Sequence, residues 1–132
     1  MLTTFPDLLV LGFFAPTIIR IAVALSFVSI AYLQWKRHTE LSEIKFPIIG
    51  RSSWWVSVSI LLHVALASAM LFGYYTQIAA LIGMVVFIKQ AIFAKRYPRA
   101  VPLCRGEYVL LVFMCFSLLI SGAGALAYDL PL

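Results

Sequence analysis

The sequence predicts an all-α polytopic membrane protein, a single domain in which four transmembrane helices form an antiparallel bundle. Three observations carry that expectation. The chain is 64% hydrophobic and only 11% charged, against about 25% charged residues in an average soluble domain, too few to cover a soluble surface. Between Glu107 and Asp129 lie 21 residues without a formal charge, and about 20 apolar residues at about 1.5 Å each cross roughly 30 Å of hydrocarbon. Eight of the ten basic residues fall in two short stretches rather than being spread along the chain.

Taken in order, the opening MLTTFPDLL has no basic residue before its first apolar run, unlike a typical secretory signal. The expectation is that any export uses the first span, uncleaved. Phe5-Pro6-Asp7 reads as a helix start, since Asp7 can accept from free backbone N–H groups at the positive end of a helix. Leu8–Phe14 is too short to cross a bilayer. Residues 6–15 therefore read as an interfacial or re-entrant segment, or as the front of one long helix kinked at Pro16.

The first span is expected over about 17–35, ending on the interfacial anchors Tyr32 and Trp35 and then Lys36-Arg37. Residues 36–53 form the longest polar connection. The second span covers about 54–72 and carries His63 near its middle. The uncharged Gly73-Tyr74-Tyr75 is a tight turn, and the third span, about 76–94, contains Gln77, Lys89 and Gln90. A basic segment with two prolines, 95–106, leads into the fourth span, about 108–127. Segments 36–53 and 95–106 each hold four Lys or Arg, whereas the start, the 73–75 turn and the tail hold none. By the positive-inside rule both basic loops lie in the cytoplasm and both termini outside. Short connections make neighbouring spans antiparallel.

Charges within the spans narrow the search for a site. Counting from span centres at Ser26 and Val85, Arg20 lies about 9 Å towards the outside and Lys89 about 6 Å towards the cytoplasm. Charges at such depth are costly and usually face the interior or pair. Arg20 has Asp129, or Asp7, at its end; Lys89 has Glu107 at the other. The plainer alternative is that both cations snorkel to the nearer interface. His63 is the one histidine inside a span, and Ser26 and Ser117 at similar depth would make a polar pocket with it; the alternative is a single interhelical hydrogen bond. Gly122 and Gly124 in SGAGALA permit close backbone approach. Cys104, beside Arg99 and Arg105, is the one candidate for a reactive thiol, and Cys115 sits at lipid depth. No metal site and no cofactor motif is visible.

The opening FPDLLVLGFFAPTIIRIAVAL with its Arg20, the GYYTQIAA stretch from Gly73 and the closing SGAGALAYDLPL, taken in that order over nearly the whole chain, resemble the DoxX family of small bacterial and archaeal membrane proteins. The resemblance implies a four-helix protein of the cytoplasmic (inner) membrane. It also implies a link to thiosulfate:quinone oxidoreductase, from whose membrane subunit the family takes its name, and to thiol-redox complexes.

Three functions follow as expectations. In the first, the chain is an accessory or structural subunit whose bundle binds a protein partner and whose basic loops dock something anionic at the cytoplasmic face. In the second, it is the membrane subunit of a thiosulfate- or thiol-linked quinone oxidoreductase, with a quinone as cofactor and a ligand site at Arg20, His63, Gln77 and Asp129. The third is a small transporter. Small multidrug exporters of similar length depend on a carboxylate deep in the first span, where this chain has Arg20. The chain has no CxxC for disulfide chemistry, and its net charge of +5 sits in loops facing anionic lipid, so nucleic acid is not an expected partner. Small residues in the fourth span would also allow a homo-oligomer.

Overall fold

In the computed structural model the described residues are 12, 14–43, 53–96, 101–122 and 124. They form five helices: α1 (Ala15–Lys36), α2 (His38–Glu43), α3 (Ser53–Phe72), α4 (Thr76–Arg96) and α5 (Arg105–Ser121). No strand occurs among the described residues. Three stretches, Ala15–Lys36, Trp54–Phe72 and Thr76–Lys95, are long and apolar enough to cross a membrane. The 17 residues of α5 make a helix about 25 Å long. It starts at Arg105, ahead of the expected span, and closes at Ser121, where Gly122 turns away at φ 76° and ψ −166°.

Pro16 stands in the first turn of α1, where its missing N–H interrupts no hydrogen bond. The described helix therefore begins at the proline rather than bending there. Of the segment 6–15, only Gly12, Phe14 and Ala15 are described, so its interfacial or re-entrant character lies outside the described residues. At its other end α1 finishes on Lys36, a cation beside the negative end of the helix dipole.

The polar connection after α1 contains an element the sequence did not announce. α2 follows one residue after α1 and folds back so that Leu41 is buried with Ala31, Val56 and Ile60. His38 Nε2 lies 3.2 Å from Ser57 Oγ on α3. The start of α3 is thereby set beside the end of α1, and the two run in opposite senses. Between α3 and α4 the turn is a Schellman closure: the Gly73 N–H donates to Met70 O (3.3 Å) and the Tyr74 N–H to Ala69 O (3.0 Å). Gly73 has φ 66°, the left-handed conformation that such a closure needs and glycine adopts without a Cβ penalty.

α1 packs along α3 and α4 along α5, and α1·α5 and α3·α4 complete the contacts among the four long helices. One core joins all four long helices, with Phe27 and Ile30 from α1, Leu66 and Met70 from α3, Phe87 from α4, and Tyr108 and Leu118 from α5. Gly83 makes the centre close. A Cβ there would meet the Phe27 ring at 3.0 Å and Cys115 Sγ at 3.6 Å, so α1, α4 and α5 converge on a residue with no side chain. At the far end, a Cβ on Gly124 would meet Pro16 Cβ at 2.8 Å. The chain leaving α5 thus lies on the first turn of α1, and these helices also run in opposite senses.

The outward faces are apolar. Ile18, Leu25, Leu61, Ile78, Val85, Ile92, Phe113 and Ile120 are all exposed, while Thr17, Arg20, Gln34, His63, Thr76 and Gln90 are buried. In a water-soluble helical protein this distribution would be reversed.

Candidate functional site

His63 occupies the middle of the core, fully buried. Its Nδ1 lies 2.5 Å from the carbonyl oxygen of Ser59. A carbonyl only accepts, so Nδ1 carries the proton and Nε2 presents a lone pair. That lone pair meets Gln90 Nε2 at 2.6 Å: the amide donates across from α4 to α3. The orientation of the Gln90 side chain is fixed by this tautomer, since the reverse amide would put two acceptors face to face. Phe27 lies edge-on to the imidazole (centroids 5.8 Å apart, 60°) and stacks on Phe87 at 4.4 Å. The result is a neutral polar link enclosed by aromatic rings. Its two imidazole nitrogens are both engaged, which leaves neither available to bind a metal or take a proton from a substrate without breaking a contact.

Among the described residues, the hydrogen bonds of His63 go to Ser59 and Gln90 and not to Arg20 or Gln77. Arg20 is buried, 2% exposed, but it lies seven residues before Phe27 on α1, about 10 Å towards the helix start, whereas His63 touches Phe27 itself. Gln77 is exposed on the first turn of α4. Asp129 and Asp7 lie outside the described residues. The contact of Gly124 with Pro16 and Thr17 does bring the chain leaving α5 to the end of the molecule where Arg20 sits. The polar pocket expected from Ser26 and Ser117 is not made with His63. Ser26 Oγ donates instead to Ala22 O on its own helix (2.9 Å), and Ser117 is only half-buried.

Lys89 is exposed on α4, and Glu107 is occupied elsewhere. The Glu107 carboxylate accepts from the Cys104 N–H at 2.9 Å, closing a capping box at the start of α5. Lys89 and Glu107 make no ion pair with one another. Cys104 is exposed and Cys115 buried, and among the described residues no group of three His, Cys, Asp or Glu stands close enough to hold a metal ion.

Three further neutral polar residues, which residue type alone does not mark, are buried in the structure: Gln34, Thr76 and Tyr108, at 8%, 0% and 0% exposure. The signal available was position: Gln34 stands seven residues after Phe27 and Tyr108 seven before Cys115, which keeps each on the core face of its helix. Outside the core, an apolar groove of about 510 Å³ runs along α1 and α3, between Val28, Tyr32 and Trp35 on one side and Ile60, Val64 and Leu71 on the other.

No protein-family model, curated protein sequence or solved structure matches the chain significantly.

Proposed function

We propose that this chain is an integral membrane protein of the DoxX kind, with four membrane-spanning helices in an antiparallel bundle, acting as a non-catalytic accessory subunit of a membrane complex. The observation that carries the reading is the reversal of polarity between surface and core: apolar side chains outward on every long helix, and Arg20, His63 and Gln90 inward. Such a molecule is solvated by lipid, and its buried polar groups hold helices together where the hydrophobic effect does not. An accessory role is favoured over catalysis because His63 is held at both nitrogens and because Arg20, Gln77 and His63 stand apart. In this reading the two basic segments lie on the cytoplasmic side of an inner membrane and offer a docking face for an anionic partner.

A quinone-linked oxidoreductase subunit is the second reading, favoured by the apolar α1–α3 groove, which suits an isoprenoid tail. Native mass spectrometry of protein extracted gently from its own membrane separates the two. A stable protein partner without a small ligand is expected. A quinone retained by the chain, and lost when Val64 or Ala67 in the groove is enlarged to Trp, would overturn the accessory reading.

A further inference from the structure

The groove between α1 and α3 is apolar along its length and polar at one end only. On α1 it runs from Val28 to Trp35 and on α3 from Ile60 to Phe72, following α3 for about 18 Å. The α3 wall is hydrocarbon and aromatic carbon apart from Ser68, whose hydroxyl donates to Ala65 O on its own helix at 2.8 Å. A volume of about 510 Å³ over that length averages about 30 Å² in section, too slender for a transmembrane helix about 10 Å across. A single extended hydrocarbon chain is of the right calibre.

The two ends differ. Ala31 is buried with Val56 and Ile60, which sets the Trp35 end of α1 beside the start of α3. Here stand the groups that can donate: the Tyr32 hydroxyl and the Trp35 indole N–H on the groove wall, then Lys36 and Arg37, both exposed and next in the chain. The His38 ring, 3.2 Å from Ser57 Oγ, ties this cluster to α3 about one turn before Ile60. Glu40 is exposed on α2, and with Lys36 and Arg37 it leaves this end net positive. At the other end Leu71 and Phe72 run into the uncharged turn Gly73-Tyr74-Tyr75.

We propose that the α1–α3 groove is a binding site for one anionic phospholipid, with an acyl chain along the groove and the phosphate held at the Trp35 end by Lys36 and Arg37. Lysine meets a phosphate as a point charge, and arginine can meet it with two N–H groups at once. Each such cation at an anionic membrane surface strengthens attachment about fivefold. A neutral quinone or a zwitterionic headgroup gains less from that charge, which sets the anionic lipid apart. The proposal goes beyond the accessory reading and rests on the chain's insertion in a membrane.

Reconstitution into liposomes of equal phosphatidylglycerol and phosphatidylethanolamine tests it, read by native mass spectrometry after gentle extraction. The unmodified chain should retain phosphatidylglycerol over phosphatidylethanolamine by about tenfold or more. Lys36→Gln with Arg37→Gln should bring that ratio close to one. Val64→Trp, at an exposed position on the groove wall, fills the groove and leaves both charges, and should abolish retention of either lipid. Equal retention of the two lipids by the unmodified chain would overturn the proposal, as would a groove held by a quinone or by a second copy of the chain in place of lipid. Flotation of the liposomes keeps two failures apart: a chain that does not float contradicts membrane insertion, whereas a chain that floats without a lipid preference contradicts the site alone.

Discussion

His63 on α3 accepts a hydrogen bond from the Gln90 amide on α4 at 2.6 Å, joining the two helices within the core. Replacing Gln90 by Leu leaves the imidazole lone pair unpaired, and replacing His63 by Leu strands the amide hydrogens. Either single change should cost about 1–3 kcal/mol, the desolvation penalty of the group left behind. The double change His63→Leu with Gln90→Leu should cost clearly less than the sum, because nothing is then orphaned. Reversible unfolding in mixed micelles, analysed as a double-mutant cycle, measures the difference; strict additivity would mean the pair is not coupled.

Gly83→Ala sets two effects against each other. A helical alanine gains about 1 kcal/mol over glycine, but the new methyl would sit 3.0 Å from the Phe27 ring, which is held from behind by its stack on Phe87. Overpacking of this kind costs about 1–3 kcal/mol, so the variant should be less stable. Adding Phe27→Leu should restore part of the loss, and a Gly83→Ala protein that melts above the parent would show that the ring can move aside.

At Gly124 the backbone has φ 72°, and a Cβ would meet Pro16 Cβ at 2.8 Å and Thr17 N at 3.0 Å. Both conformation and space oppose a side chain. Gly124→Ala should cost about 1–3 kcal/mol and loosen the closure of the α5 end on α1. Cleavage after Arg20 by trypsin in detergent should then quicken, while cleavage around Lys95 stays unchanged.

Little of this internal geometry is legible in the sequence, for a physical reason. Each long helix is apolar all round, so the pattern announces helices that meet lipid but not which face of each turns inward. Helix positions and the 73–75 turn follow from length and charge. That His63 meets Gln90 rather than Ser26 depends on rotation about the helix axis, which an amphipathic stripe would reveal and an all-apolar helix hides. α2 escaped because six residues with one apolar side chain, Leu41, show no period. Glu107 differs for another reason: as the third residue of α5 after Cys104 it is better placed to cap its own helix than to cross to Lys89, and cysteine is not among the residues that ordinarily announce a helix start.

The cap itself is testable. Glu107→Gln keeps an acceptor for the Cys104 N–H and should be nearly neutral, whereas Glu107→Ala should cost about 1 kcal/mol. Cys104→Ser puts a preferred capping hydroxyl in place of the thiol and should stabilise α5 by a few tenths of a kcal/mol. Thermal unfolding followed by circular dichroism in detergent ranks the three.

The most direct test of the central claim, a chain that spans the membrane with its basic segments on the cytoplasmic side, uses its own two thiols. Cys104 is exposed at the start of α5 and Cys115 is buried in the core. A membrane-impermeant maleimide should label one cysteine, Cys104, in inverted inner-membrane vesicles and none in intact spheroplasts, with both reacting after denaturation. Labelling of Cys104 from outside intact spheroplasts would contradict the orientation, and release of the chain from vesicles by alkaline carbonate would contradict membrane insertion itself.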